Sequence, residues 1–96
     1  MIRHVVYFSV RSEADRDRVL SGLRLLEANP HALHLEVGEN LKLDSLGNEI
    51  DFVVYGEFAD EAALEAFKAH PVYQASIAAV RPIRDLRIAA DIVARR

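Results

Sequence analysis

The sequence predicts one α+β domain over residues 1–96, a four-stranded antiparallel sheet with helices on one face, in the order β-α-β-β-α-β. Three observations carry this prediction. Four segments are rich in β-branched and aromatic residues at strand spacing. Helical stripes with recognisable caps separate the first strand from the second and the third from the fourth. A weak repeat aligns Val5-Val6-Tyr7-Phe8-Ser9-Val10-Arg11-Ser12-Glu13-Ala14 with Val53-Val54-Tyr55-Gly56-Glu57-Phe58-Ala59-Asp60-Glu61-Ala62, so each half starts as a strand and turns into a helix.

The first strand is expected over Ile2–Val10. Ser12 then caps a helix, with Asp15 as a capping-box variant and acidic Glu13 and Asp15 at the positive helix end. Val19, Leu20, Leu23 and Leu26 form its buried stripe, while Arg16, Asp17, Arg18 and Arg24 take the other faces. Asn29-Pro30 stops the helix, because proline disfavours helical geometry in the residue before it. His31–Leu41 reads as a half-exposed edge strand, Leu33, Leu35 and Val37 alternating with His34 and Glu36. Lys42–Glu49 is a polar loop with Gly47-Asn48 as its turn. Ile50–Phe58 is the third strand. Asp60 caps a short helix that carries Leu64 and Phe67 inward. His70-Pro71 interrupts it, and Pro71 opens a second short helix with Tyr73, Ile77 and Val80 on one face. Arg81-Pro82 ends that helix, and Ile83–Val93 is the last strand.

Two interlocked βαβ units of this order make the ferredoxin-like arrangement, with strands one and three central. One face of those strands carries Ile2, His4, Val6, Phe8, Phe52, Val54 and Phe58, and the other carries Val5, Tyr7, Val53 and Tyr55. Helices can cover only the first. The Val/Tyr face is therefore expected to be the interface of a homodimer packed sheet to sheet.

Composition narrows the function. The chain is 51% hydrophobic and 28% charged, as in globular domains. Net charge is −3, from 12 basic and 15 acidic residues, so no nucleic-acid footprint is expected. Apolar runs such as Val5–Phe8 fall far short of the ~18–20 residues of a membrane span, and the charged start Met1-Ile2-Arg3-His4 does not read as a signal peptide. Without cysteine, the expected location is the cytoplasm.

Chemistry-bearing residues are few. His4, His31, His34 and His70 make no metal-ligand spacing, so neither a metal site nor a cofactor is expected. His4 belongs on the helix-facing side of the first strand. It is either a core histidine satisfied by a partner or a general acid/base lining a cavity between sheet and helices. Tyr73 leans toward the same space, and its phenol needs a partner, for which His4 is a candidate. His70 is either a pocket residue or a helix cap. Gly56 removes a side chain where a ligand or Phe67 could sit. Arg81, Arg84 and Arg87 cluster around the last strand. Pairing with nearby acids is the ordinary expectation, an anion site or dimer contact the alternative.

Met1-Ile2-Arg3-His4-Val5-Val6 at the start, Ala69-His70-Pro71-Val72-Tyr73-Gln74 after a short helix, and Arg81-Pro82 before a last strand with Asp91 together resemble the stress-responsive A/B barrel (Dabb) family of dimeric α/β barrels. The resemblance covers almost the whole chain. It implies a dimer whose two sheets close into a barrel. One plant member cyclises a linear polyketide by aldol condensation without a cofactor, using a Tyr before His-Pro and a His after it. Those positions are Phe67 and Tyr73 here, so that acid/base pair is not carried over. His4 matches a pocket histidine of the cyclase, and a second corresponds to Phe52. The resemblance further implies an apolar lining of Val6, Val19, Leu20, Leu23 and Val54.

Three functions compete. The first is a small dimeric stress-associated or binding protein without catalysis, its ligand a small apolar molecule held between sheet and helices. The second is a cofactor-independent cyclase, isomerase or monooxygenase on a small aromatic or polyketide-like compound, with His4 as base and Tyr73 as proton donor or oxyanion ligand. The third is a purely structural oligomer, expected if Phe8, Phe52, Phe58 and Phe67 fill the gap between sheet and helices. A cavity of roughly 300 Å³ with His4 and Tyr73 in its wall would favour the first two.

Overall fold

Strand β1 (Ile2–Val10) leads into helix α1 (Arg16–Arg24), strands β2 (His34–Glu39) and β3 (Phe52–Phe58), helices α2 (Glu61–Ala69) and α3 (Pro71–Val80), and strand β4 (Arg84–Val93). The computed structural model describes residues 1–95, so Arg96 lies outside the described residues. The sheet order is β2-β3-β1-β4, all antiparallel, with β1 and β3 central as the strand pattern predicts. The fold is ferredoxin-like. No helix among the described residues is long and apolar enough to cross a membrane.

Local chemistry sets the boundaries. The Ser12 hydroxyl accepts from Ala14 N–H at 3.3 Å and opens a single 3-10 turn, Glu13–Asp15, before α1 begins. The expected capping box does not form, because the Asp15 carboxylate pairs with Arg18 at 2.9 Å instead. Asp60 caps α2 by accepting from Ala63 N–H at 2.8 Å. Pro71 is the first residue of α3, where its missing N–H costs nothing.

Strands β2 and β3 are shorter than their apolar patterns imply. Asn29 accepts from His31 N–H at 3.1 Å and donates to the Phe67 carbonyl at 3.0 Å, which holds Pro30-His31 in a turn. Asn40 closes the other end, donating to the Ile50 carbonyl at 2.6 Å and accepting from Lys42 N–H at 2.9 Å. The loop bends at Ser45-Leu46 rather than at Gly47-Asn48, because Asp44 accepts from Leu46 N–H at 2.8 Å. The left-handed residue is Lys42, with φ 57°, and no described glycine has positive φ.

The core lies between the sheet and the helices, where Val19, Phe52, Phe58 and Phe67 are at most 1% exposed. Gly56 is needed there. A Cβ would stand 2.8 Å from Phe58 Cε2 and 3.1 Å from Leu35 Cδ1, so the space is taken by those side chains and not by Phe67 or a ligand. Gly22 plays the same part between α1 and α3. A Cβ there would meet Val80 Cγ2 at 2.7 Å, and the buried Ser76 hydroxyl donates to the Gly22 carbonyl at 2.8 Å.

Arg16 departs from the expected solvated face. It reaches across the start of β3, donating to Asp51 at 2.7 Å and to Glu13 at 3.0 Å, with its guanidinium 5.3 Å from the Phe52 ring centre. Asp51 also accepts from Val10 N–H at 2.8 Å and pairs with Lys42 at 3.1 Å. A buried carboxylate thus ties β1, α1 and the long loop together.

Candidate functional site

Among the described residues no helix lies over β4, whose residues beyond Arg84 are all exposed. The helix layer therefore stops short of the sheet edge and leaves a cavity of about 260 Å³ between β1, β4, α3 and the end of α1. The volume is slightly under the ~300 Å³ typical of ligand pockets, yet about 150 Å³ suffices for a benzene ring. Val6, Phe8, Leu23, Val54, Phe67 and Ile77 supply the apolar wall, and His4, Tyr73 and Ser76 the polar groups. The four phenylalanines do not fill the gap. Phe8 and Phe67 stand in its wall, while Phe52 and Phe58 pack elsewhere in the core.

His4 is 2% exposed and sits opposite Asp91 in the β1–β4 register. Its Nδ1 lies 2.5 Å from Asp91 Oδ1. A carboxylate only accepts, so Nδ1–H donates, and in the tautomer this selects the lone pair lies on Nε2. That nitrogen has no hydrogen-bond partner among the described residues and is not a sealed-off atom. The ring is held edge-on by Phe58 and Phe67 at 6.2 and 6.5 Å. Tyr73 stacks edge-on against Phe67 at 5.3 Å, and its phenol makes no bond to His4. His4 is thus partnered by Asp91 in place of Tyr73, and register alone brings Asp91 to it.

The cavity brings together His4, Tyr73, Val6, Leu23, Val54 and Phe67. It excludes Val19, Leu20, Phe52 and His70, which correct the expected lining. Val19 and Phe52 are wholly enclosed in the core, and Leu20 packs against it. His70 is a cap: its Nδ1 accepts from Val72 N–H at 3.0 Å, and its ring faces His31 at 5.7 Å. Gln74 donates to the Lys68 carbonyl at 3.0 Å, so the His-Pro-x-x-Gln segment knits α2 to α3 rather than lining a site.

Arg81, Arg84 and Arg87 also stand in the cavity wall. The expected pairing with acids is absent among the described residues, where the ion pairs involve other groups. No group of three His, Asp or Glu side chains that could hold a metal ion occurs among the described residues.

The opposite sheet face is open. Val5, Tyr7, Val53 and Tyr55 pair across β1 and β3, and Ile88 and Ile92 of β4 extend the patch at 51% and 59% exposure. Its far end is polar. Tyr55 donates to Glu57 at 2.6 Å, which holds its phenol above the usual value, and the His34 imidazole bonded to Glu36 is likewise raised. Arg3 Nε, beside them, is the one buried side-chain nitrogen left unpartnered among the described residues.

A family model of the stress responsive A/B barrel domain matches residues 2–94. A dimeric ferredoxin-like protein of unknown function from Thermobifida fusca is 27% identical, over 97% of this chain and 90% of that one, with a TM-score of 0.81. A Dabb family protein with a ferredoxin-like fold from Mesorhizobium loti is 25% identical, over 99% and 97% of the two chains, with a TM-score of 0.82. An antibiotic biosynthesis monooxygenase, 18% identical over the full length of both chains with a TM-score of 0.76, shares the fold. Among curated proteins none matches.

Proposed function

The chain belongs to the stress-responsive A/B barrel domain family, and from that premise we propose that it is a homodimer that binds a small apolar molecule between its sheet and helices. The observation that carries the reading is the cavity of about 260 Å³, apolar along most of its wall and open past the uncovered β4. Such a cavity suits a single ring or short chain. A thermal-shift screen with small aromatic and short-chain compounds tests it. Ligand at 100 times its Kd adds about 2.7 kcal/mol, which raises the melting temperature by roughly 10 °C or more in a domain this size. Ile77→Phe, which fills the cavity, should abolish the shift. Failure of every compound to stabilise the protein, or an undiminished shift in Ile77→Phe, would refute the site.

The homodimer rests on the open face. Tyr7, Ile88 and Ile92 are exposed and contiguous with half-buried Val5, Val53 and Tyr55. An apolar patch of this kind on a thin slab asks for a partner, and the Thermobifida fusca protein is dimeric. Sedimentation at micromolar concentration should give twice the 10.8 kDa of the chain. A single-chain mass would overturn the dimer and leave the cavity untouched.

One observation favours a second reading, cofactor-independent turnover of the bound molecule. His4 is oriented by Asp91 and keeps Nε2 free, the arrangement of a general base steadied by a carboxylate. Tyr73 in the same wall would supply the proton or bind an oxyanion. With a turned-over compound in hand, His4→Gln and Tyr73→Phe should each bind it and lose turnover. Full activity in both variants would remove catalysis from this pair.

A further inference from the structure

One wall of the cavity is unlike the rest. Arg81 follows the last turn of α3, and Arg84 and Arg87 stand on β4, so two elements bring three arginines to one side of the cavity wall. None of the three pairs with a carboxylate among the described residues. Arg16, by contrast, is met by Glu13, Glu39 and Asp51. Among the described residues Arg84 donates only to the Asp85 carbonyl, at 3.0 Å, and the Arg87 guanidinium stands 6.0 Å from the Phe8 ring centre. Arg81 at a helix C-terminus interacts favourably with the helix dipole, which explains one cation and not three. The acids nearest in the chain are otherwise placed. Asp91 holds His4, and Asp85 makes no ion pair among the described residues.

We infer that the cavity takes a molecule with an apolar body and an anionic head, its body between sheet and helices and its oxyanion among Arg81, Arg84 and Arg87. The inference rests on the reading of the cavity as a binding site and adds the ligand's charge to it. Each guanidinium presents up to five donors in a planar fork that matches a carboxylate or phosphate. In a chain of net charge −3, this cluster makes a local positive mouth that draws anions to a cavity otherwise apolar.

Matched pairs of acid and methyl ester test the charge apart from the body: benzoate, 3-phenylpropionate and hexanoate, each against its ester, by titration calorimetry. The acid of at least one pair should bind about tenfold more tightly than its ester at low salt. Arg84→Gln and Arg87→Gln should each weaken the acid several-fold and leave the ester unchanged. Raising ionic strength from about 20 to about 500 mM should weaken the acid alone. Phenyl phosphate binding above or below benzoate identifies the oxyanion, and either order supports the inference. Esters binding as tightly as acids, or acids indifferent to both Gln variants, would overturn the inference while the cavity stands. If neither member of any pair binds, the cavity itself is not a site and the inference falls with it.

Discussion

Replacing Asp51 by alanine should cost the fold about 2–4 kcal/mol at neutral pH. The Asp51 side chain is 7% exposed and accepts from Val10 N–H at 2.8 Å and from Arg16 at 2.7 Å, with Lys42 at 3.1 Å. Its loss orphans the Val10 N–H, at about 1–3 kcal/mol. The two cations are 28% and 41% exposed, so each contact adds only about 0.5–1 kcal/mol after screening by solvent. Asparagine keeps one acceptor and should lose roughly 1–2 kcal/mol. Urea unfolding reads this directly, as a fall of about 1–2 M in the midpoint for alanine. The pH dependence gives a second check. Burial pushes the Asp51 carboxyl up, but the Val10 N–H and the Lys42 and Arg16 charges outweigh it and hold the group below its usual 3.8. The unfolded chain therefore takes up this proton first as pH falls. The stabilisation is complete above the unfolded value and disappears as pH drops through the folded one. The gap between wild type and Asp51→Asn should hold steady from pH 7 to about 5 and narrow below about 4. An alanine variant within about 0.5 kcal/mol of wild type, or a gap unchanged at pH 3, would refute the reasoning.

Two further substitutions probe the core and the His4 site. Gly56→Ala forces a Cβ to within 2.8 Å of Phe58, which is fully buried, and should cost about 1–3 kcal/mol, read as a melting temperature lower by roughly 5–15 °C; an unchanged melt would show that Phe58 yields freely. Asp91→Ala leaves the buried His4 Nδ1–H without an acceptor and should cost about 1–3 kcal/mol in urea unfolding, whereas Asp91→Asn, with a carbonyl oxygen in place, should recover most of it. Equal losses in the two variants would mean that the hydrogen bond does not hold the ring.

Much of the fold is legible because it follows from periodicity. Val6, Phe8, Phe52 and Val54 face the helices and Val5, Tyr7, Val53 and Tyr55 face away, as alternation requires. Asp60 and Pro71 start helices where their backbone chemistry places them. The site is less legible. Val19 and Phe52 are as apolar as Val6 and Leu23, and only the extent of the helix layer decides which of them border empty space. Asp91 meets His4 through strand register across 87 positions, which no local pattern encodes. One signal was present: Arg87, Ala89 and Asp91 alternate against the apolar face of β4, which puts an acid on the same side as His4. Arg16 looked solvated because helical spacing places it off the apolar stripe. A long side chain can still lie across a neighbouring ring while its charged end finds a buried acid.

Gly22 sits outside the cavity, yet it governs the cavity's height. It is the rest on which α3 is seated, through Ser76 and Val80, and both of those side chains also form the cavity's ceiling. A Cβ at Gly22 would press on Val80 at 2.7 Å and on Ala79 at 3.2 Å, so α3 and its side chains must give way. Room for a bulkier guest can therefore be sought from the far side of a helix, without altering a single residue that a guest would touch.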